Sequence, residues 1–293
     1  MINALLFPGQ GSQSVGMGKR LYEELKRARD LLELANDILG YDLKKIMFEG
    51  PKEVLADTRY AQSAIFVCSA MYLELVKAKG IRYSYAAGHS LGEYNALLAA
   101  EVFRFEDGLK LVEKRGVAMS CENGKGIMAA VIGMTEEDLN DFISSYNGEA
   151  VIANLNSKSQ IVISGTKEAV EDIGSQLEQK ENIKFRKLNV SAAFHSPQMA
   201  DAAKTMEEEI RKMVFSLPKV PVVCNVTGKS ARNTEDIKEN LIRQMTGQVR
   251  WCDTILHLKE EGTEQFIETG NGDVLKKLNK TIIFRPKCIG LEA

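Results

Sequence analysis

A Gly-x-Ser-x-Gly sequence, Gly88-His89-Ser90-Leu91-Gly92, separates two segments of contrasting pattern in this chain. Residues 81–87 before it predict a short buried strand, and residues 93–100 after it are rich in strong helix formers. A serine on a sharp turn from strand to helix is typical of a nucleophile elbow. The turn exposes the hydroxyl at a helix N-terminus, where free N–H groups and the helix dipole stabilise negative charge. The sequence therefore predicts that Ser90 is a nucleophile.

Strand-like and helix-like segments alternate along most of the chain, which is typical of a mostly parallel sheet covered by helices. Together with the elbow, this pattern predicts an α/β fold with a large α/β-hydrolase-like domain. Residues 124–189 instead follow the order β-α-β-β-α-β, which is typical of a ferredoxin-like arrangement. We therefore predict that residues 1–123 and 190–293 form the large domain, and that residues 124–189 form a small inserted subdomain.

Composition argues against several classes of function. The chain has 38 basic and 40 acidic residues and no long basic block, so we expect no nucleic-acid partner. No apolar run is long enough to span a membrane, and no basic segment precedes the first apolar strand, so we expect no membrane partner and no signal peptide. The five cysteines form no Cys-x-x-Cys pair, which suits reduced thiols. We expect a cytoplasmic monomer without a metal site.

Only three histidines could serve as the general base that a serine nucleophile needs. His89 adjoins the serine, but neighbouring side chains on a tight turn point apart, so we expect it to support the elbow. His257 lies in a predicted half-exposed helix over 251–260, which favours a solvated surface histidine. His195 follows a predicted strand over 183–190, and catalytic groups collect at the carboxyl ends of strands in open α/β sheets. We therefore favour His195, oriented either by an acidic side chain or by a backbone carbonyl.

Seven motifs in the same order resemble the malonyl-CoA:acyl carrier protein transacylase family along the whole chain. They are FPGQGSQ at 7–13, GHSLGEY at 88–94, KRG at 114–116 followed by Met119, NLNS at 154–157 with QIVISG at 160–165, FHS at 194–196, RQ at 243–244 with VRW at 249–251, and ETG at 268–270. Seven ordered matches are far more specific than any one motif.

The resemblance implies a role for each residue around the nucleophile. Ser90 would attack the thioester carbonyl of malonyl-CoA, and His195 would accept the serine proton. The backbone N–H groups of Gln10 and Leu91 would bind the oxyanion. The backbone carbonyl of Gln244 would orient His195. The acyl-serine would then pass its acyl group to the phosphopantetheine thiol of an acyl carrier protein, with no cofactor beyond these substrates.

The resemblance also implies two substrate-binding residues. Arg115 would bind the malonyl carboxylate through a bidentate pair, and Asn156 would help to line the site. Without the resemblance, Arg115 reads as part of the solvated face of a helix together with Lys110 and Lys114, because most arginines are solvated. Phe194 and Leu91 resemble the residues of malonyl-selective members.

Two other functions remain open at this point. A serine hydrolase or thioesterase that acts on acyl carrier protein thioesters would use the same Ser90 and His195. Such an enzyme for uncharged acyl groups has no use for a buried cation, so Arg115 discriminates between the two activities. A non-catalytic carrier-docking module would not need serine, histidine and arginine together. The pathway, fatty-acid or polyketide synthesis, is not separated by these residues.

Overall fold

The computed structural model describes residues 1–146 and 149–291. Its strands are β1 (Asn3–Phe7), β2 (Tyr85–Gly88), β3 (Ile127–Ile132), β4 (Ala150–Leu155), β5 (Gln160–Gly165), β6 (Lys184–Lys187), β7 (Val222–Cys224), β8 (Lys229–Ala231), β9 (Gln265–Glu268) and β10 (Cys288–Gly290). Its helices are α1 (Lys19–Glu24), α2 (Lys26–Leu39), α3 (Leu43–Glu49), α4 (Lys52–Ala56), α5 (Thr58–Ala78), α6 (Gly92–Ala99), α7 (Phe105–Ser120), α8 (Glu136–Ser144), α9 (Lys167–Leu177), α10 (Ala200–Lys212), α11 (Thr234–Gln244), α12 (Trp251–Glu260) and α13 (Val274–Ile282). A 3-10 turn, Pro197–Met199, precedes α10.

The larger sheet, sheet A, has the strand order β10-β9-β1-β2-β7-β8 within the described residues, and its pairs are parallel except β7 with β8. Strand β1 is central, and its alternate side chains enter two different apolar clusters, Leu5 and Phe7 on one side and Ala4 and Leu6 on the other. Burial on both faces is what a parallel strand covered by helices requires. The mostly parallel sheet predicted from the sequence is confirmed.

The smaller sheet, sheet B, has the strand order β4-β5-β3-β6, and its pairs are antiparallel. Helices α8 and α9 begin at threonine caps, where the hydroxyls of Thr135 and Thr166 accept the N–H groups of Asp138 and Ala169. This order is the ferredoxin-like arrangement that the sequence predicts. The domain limits 124–189 and 190–293 stay a prediction, and residues 147–148 and 292–293 within them lie outside the described residues.

Backbone pairing joins sheet B to the segment that precedes α12. The Leu155 N–H donates to the carbonyl of Val249 at 2.9 Å, and the Val249 N–H donates to the carbonyl of Ala153 at 2.8 Å. The edge of β4 therefore joins sheet B to the segment before α12, in addition to the chain connections of sheet B.

Two predicted strands were wrong in extent. The elbow strand begins at Tyr85 and not at residue 81, because its pairing with β1 starts at Ala4 opposite Tyr85. Helices α1 and α2 are separate because Leu25 adopts an extended conformation between them. Strand β6 spans only Lys184–Lys187 and not 183–190. Five of the ten residues of α12 are buried, which agrees with the half-exposed helix predicted over 251–260. Helices α3 and α4 were not predicted.

Candidate active site

The elbow is built from the end of β2, the start of α6 and two glycines that admit no side chain. Gly88 pairs with Phe7 in the sheet register, so the loops after β1 and β2 meet at one edge of sheet A. A Cβ on Gly88 would overlap the backbone of Gly92, and a Cβ on Gly92 would overlap the carbonyl of Phe7. Ser90 has φ 51°, in the left-handed region that non-glycine residues rarely adopt. A strained serine held on so tight a turn is typical of a functional residue.

Asn225, directly after β7, clamps this turn. Its Nδ2 donates to the carbonyl of Gly88 at 2.6 Å, and its Oδ1 accepts the Ser90 N–H at 2.7 Å. Sequence analysis missed this residue. The signal available was a polar residue just beyond the carboxyl end of a strand in a parallel sheet, where such sites collect.

The imidazole of His195 lies directly against the nucleophile. Its Nε2 is 2.8 Å from Ser90 Oγ, and its Nδ1 is 2.9 Å from the backbone carbonyl of Gln244. Since a carbonyl only accepts, Nδ1 carries the proton and Nε2 is free to accept the serine proton. The group that orients the imidazole is thus a backbone carbonyl and not an acidic side chain. Burial and the charge of Arg115 lower the pKa of His195 to about 3, so the imidazole is neutral at neutral pH.

His195 was predicted to follow a strand of the parallel sheet, and this placement is wrong. The strand before it, β6, belongs to antiparallel sheet B and ends at Lys187, well short of the histidine. A loop therefore carries the imidazole to the carboxyl edge of sheet A.

The other two histidines have structural partners. His89 Nε2 is 2.9 Å from Asn156 Oδ1, and its ring centroid is 5.7 Å from that of Trp251. His257 was expected to be solvated, but it is half-buried, and its Nε2 lies 2.9 Å from Ser230 Oγ and 3.2 Å from the Ser230 nitrogen. Neither makes a hydrogen bond to Ser90 among the described residues.

Arg115 is completely buried, so its interpretation as a solvated helix face was wrong. It shares the inward face of α7 with Leu111, Val112 and Met119, at the spacing of an apolar helix face. That spacing was a sequence signal for the burial of Arg115. An arginine on an apolar helix face needs buried hydrogen-bond partners. Its Nη2 donates to Ser90 Oγ at 3.1 Å and to Gln244 Oε1 at 3.1 Å.

The remaining contacts of the guanidinium are also neutral. Nη1 donates to Oε1 of Gln62, and the group lies over the ring of Tyr94 with 5.4 Å between its carbon and the ring centroid. Within the part of the chain that the structure describes, no carboxylate lies within 4.0 Å of Arg115, and its Nε has no hydrogen-bond partner. An unpaired buried cation is costly. A site that keeps one next to a nucleophile is suited to an anionic ligand.

The residues predicted to bind an oxyanion flank the serine on two loops. Gly9 packs against the carbonyl of His89, which holds the loop after β1 on the elbow. The Gln10 side chain bonds Thr58 Oγ1 at 3.2 Å and Gln62 Nε2 at 3.0 Å. Among residues 1–146 and 149–291, the backbone N–H groups of Gln10 and Leu91 donate to no other group. Both N–H groups therefore lack an acceptor within the described part of the chain.

Ser90 and His195 open into a cavity of about 580 Å³. Its wall combines Gln10 from the loop after β1 with Met128 and Asn154 from strands of sheet B. The other predicted site residues lie behind this wall: Arg115, Leu91, Gln244 and Asn156 are not among the lining residues. For Asn156 this is a correction, because its amide is turned to His89 and not to the cavity.

Glu93 is a further site residue whose contacts the sequence did not predict, although it ends the elbow motif. Its carboxyl is buried, and Oε2 accepts the side-chain N–H of Gln244 at 2.7 Å and the backbone N–H of Asn225 at 3.2 Å. Burial raises the pKa of Glu93 to about 7, against the lowering effect of these hydrogen bonds.

Comparison with known proteins identifies a family match and similar relatives for this chain. Residues 4–280 match the family model described as acyl transferase domain. The chain is 42% identical over 276 residues to the polyketide biosynthesis malonyl CoA-acyl carrier protein transacylase PksC of Bacillus subtilis, covering 93% of this chain and 94% of that protein. It is 42% identical over 284 residues to the polyketide biosynthesis protein ThaF of Burkholderia thailandensis, covering 96% of this chain but only 24% of that longer protein.

A solved structure is similar to this chain over nearly its whole length. The acyl-carrier-protein-S-malonyltransferase from Bartonella henselae superposes with a TM-score of 0.96 at 37% identity, covering 100% of this chain and 96% of that one. The described residues contain no helix that could cross a membrane. They contain no group of three or more His, Cys, Asp or Glu side chains placed to hold a metal ion.

Proposed function

This chain belongs to the acyl transferase domain family, and we propose that it transfers a malonyl group from malonyl-CoA to the phosphopantetheine thiol of an acyl carrier protein. The observation that carries the proposal is a fully buried guanidinium with no acidic partner within 4.0 Å in the described part of the chain, 3.1 Å from the nucleophile. A malonyl thioester has a free carboxylate at one end and a reactive carbonyl at the other. Arg115 and Ser90 match these two ends.

The first half-reaction forms a malonyl-serine. Ser90 Oγ attacks the thioester carbonyl while His195 Nε2 accepts its proton. The N–H groups of Gln10 and Leu91 bind the oxyanion of the tetrahedral intermediate. Collapse of that intermediate breaks the carbon–sulfur bond, and the imidazolium of His195 returns the proton to the CoA sulfur.

The second half-reaction runs the same steps in reverse order with a new thiol. His195 accepts the proton of the phosphopantetheine thiol, and the sulfur attacks the ester carbonyl of malonyl-Ser90. Collapse releases the Ser90 oxygen, which recovers its proton from His195. The product is a malonyl thioester on the carrier.

Arg115 selects the acyl group in this proposal. When malonyl binds, Arg115 Nη2 donates to a malonyl carboxylate oxygen in place of the Ser90 hydroxyl. The planar guanidinium can bind both carboxylate oxygens in parallel. A thioesterase for uncharged acyl groups would gain nothing from this cation. The buried guanidinium of Arg115 therefore supports transfer of a malonyl group, and not hydrolysis of a neutral acyl group, as the function of this site.

The proposal extends to the setting of the reaction. The steps above use only side chains, backbone N–H groups and the carrier's own phosphopantetheine arm, so they need no metal and no other cofactor. We propose a cytoplasmic monomer that meets the carrier protein at the cavity mouth. Fatty-acid and polyketide carriers are both compatible with this chemistry.

Transfer to a carrier protein tests the proposed function directly. With malonyl-CoA and a holo acyl carrier protein, we expect a carrier whose intact mass has increased by one malonyl group, with one CoA thiol released per transfer. The apo carrier, which lacks the phosphopantetheine thiol, is the control and should stay unmodified. Release of free malonate without any malonyl carrier would indicate a hydrolase. Fatty-acid and polyketide carriers assayed side by side would distinguish the pathways.

His195→Ala should lower the rate of Ser90 acylation by about 10²–10⁴-fold, the usual contribution of a positioned general base. His257→Ala is the control and should keep the wild-type rate, because its imidazole contacts Ser230 instead. Stopped-flow release of CoA measures both. Equal losses in the two variants would contradict the assignment.

The pH dependence of acylation gives a second check on His195. A histidine acts as a base only when it is neutral, and an ordinary one with a pKa of about 6.5 loses this form as the pH falls below that value. Since the pKa of His195 is lowered to about 3, its titration should produce no fall in rate between pH 8 and pH 5. A fall centred near pH 6.5 in both the wild type and Glu93→Gln, which lacks the carboxyl of raised pKa, would contradict this.

A further inference from the structure

The mechanism leaves one buried ionisable group beside the nucleophile without a role. Glu93 lies in the first turn of α6, three residues after Ser90, and is only 1% exposed. It does not line the cavity and makes no hydrogen bond to the serine hydroxyl, so it takes no part in the proton transfers. Burying a carboxyl is costly unless its hydrogen bonds repay the cost. The contacts of Glu93 therefore indicate what it does.

Both partners of Glu93 also bind the backbone of Ser90. Oε2 accepts the Gln244 amide N–H at 2.7 Å and the Asn225 backbone N–H at 3.2 Å. Gln244 Nε2 donates in addition to the Ser90 carbonyl at 3.0 Å, and Asn225 Oδ1 accepts the Ser90 N–H at 2.7 Å. The Glu93 carboxyl thus links Gln244 and Asn225, the two residues that hydrogen-bond the Ser90 backbone.

The hydrogen bond to Glu93 also determines which way the Gln244 amide faces. Its donor end points to Glu93 and the Ser90 carbonyl, so its acceptor end, Oε1, receives Arg115 Nη2 at 3.1 Å. A reversed amide would turn its NH₂ group to the guanidinium and its oxygen to the carboxyl. The same residue presents its backbone carbonyl to His195 Nδ1 at 2.9 Å.

We propose that Glu93 is a positioning residue: through Gln244 it holds both the guanidinium that binds the substrate carboxylate and the carbonyl that orients the general base. This inference rests on the proposed function, because it assigns to Glu93 the alignment of malonyl-binding and proton-accepting groups. A carboxyl is suited to this position because a single oxygen of its side chain can accept the N–H groups of both Gln244 and Asn225.

The test compares two substitutions that keep the size of the side chain. In Glu93→Gln the amide oxygen can still accept the N–H groups of Gln244 and Asn225, and its NH₂ takes the place of Oε1. Glu93→Met fills the same space but accepts neither bond well. We expect Glu93→Gln to malonylate Ser90 within about threefold of the wild-type rate. We expect Glu93→Met to lose about tenfold or more, because it leaves two buried N–H groups without their acceptor.

A second readout separates positioning from simple loss of stability. Because Gln244 holds Arg115, Glu93→Met should also lower the ratio of kcat/KM for malonyl-CoA over acetyl-CoA by about tenfold, whereas Glu93→Gln should keep it. Asn95→Ala is the matched control: it removes another buried hydrogen bond from α6, the 2.9 Å bond from Asn95 Nδ2 to the Phe66 carbonyl. That variant should melt at a lower temperature with both kinetic values unchanged.

Each outcome decides between the hypotheses. If the wild type forms no malonyl-serine, the proposed function fails; if the wild type and Glu93→Met form it at the same rate and with the same substrate ratio, only the role of Glu93 fails. Equal impairment of Glu93→Gln and Glu93→Met would overturn the orientation argument. Should Glu93→Met not fold, Gln244→Met breaks the same hydrogen bond from the other side. Wild-type rate and substrate ratio in that variant would overturn the proposal.

Discussion

Replacing Ser90 by alanine should abolish the covalent malonyl adduct and reduce transfer by several orders of magnitude, as loss of a serine nucleophile does elsewhere. Ser90 Oγ lies 2.8 Å from His195 Nε2 and 3.1 Å from Arg115 Nη2. Serine and alanine are both disfavoured in the left-handed region that residue 90 adopts. The substitution therefore removes the attacking atom without a change in this conformational preference. Incubation with malonyl-CoA followed by intact-mass measurement should show the adduct in the wild type alone.

Another hydroxyl in the same cavity provides the control. Ser191 lines the cavity, but its Oγ lies 3.4 Å from Thr58 Oγ1 and meets no imidazole among the described residues. Ser191→Ala should therefore acquire the adduct as the wild type does. An adduct that persists in Ser90→Ala would mean that a different residue is the nucleophile.

The parts of this site that could be predicted are those encoded by neighbouring residues. The elbow is one, because strand, glycine, serine, glycine and helix follow one another in the chain and the steric demand at Gly88 and Gly92 is local. The ferredoxin-like order of sheet B is another, since periodicity and the threonine caps at Thr135 and Thr166 mark its helices. Local patterns of this kind are the strongest signals that a single sequence carries.

The parts that could not be predicted depend on contacts between distant segments. Gln62 and Asn225 come from α5 and the loop after β7, and only the packing of those elements brings them to Arg115 and Ser90. Gln244 was expected only through its backbone carbonyl, and the contacts of its side chain with Arg115 and Ser90 were not predicted. No spacing in the sequence marks a glutamine as the partner of a buried arginine. His195 was selected for a reason that the topology contradicts, because its preceding strand lies in sheet B. The FHS motif at 194–196, which the family resemblance rests on in part, indicates the same residue independently of strand order.

Arg115 gives the sharpest test of substrate choice. A malonyl group has a free carboxylate and an acetyl group does not, so only malonyl can pair with the buried guanidinium. Truncating one partner of a buried, hydrogen-bonded charge pair costs about 2–5 kcal/mol, which is roughly 30- to 5,000-fold in kcat/KM. The loss should include orientation as well as binding, because the carboxylate contact aligns the thioester carbonyl with Ser90. Arg115→Ala should therefore lose malonyl-CoA turnover by this factor while acetyl-CoA becomes relatively better.

A lysine at the same position should not restore the preference. Arg115 bonds Gln62, Ser90 and Gln244 from two different nitrogens of a planar fork, and an ammonium group on a flexible stem cannot reproduce that geometry. Lys114→Ala is the matched control, since Lys114 is the adjacent base on α7 but is exposed and pairs with Glu209. The measured quantity is the ratio of kcat/KM for malonyl-CoA over acetyl-CoA in the wild type and the three variants. A ratio in Arg115→Ala as high as in Lys114→Ala would show that the buried cation has no part in selecting malonyl, and the thioesterase interpretation would regain its force.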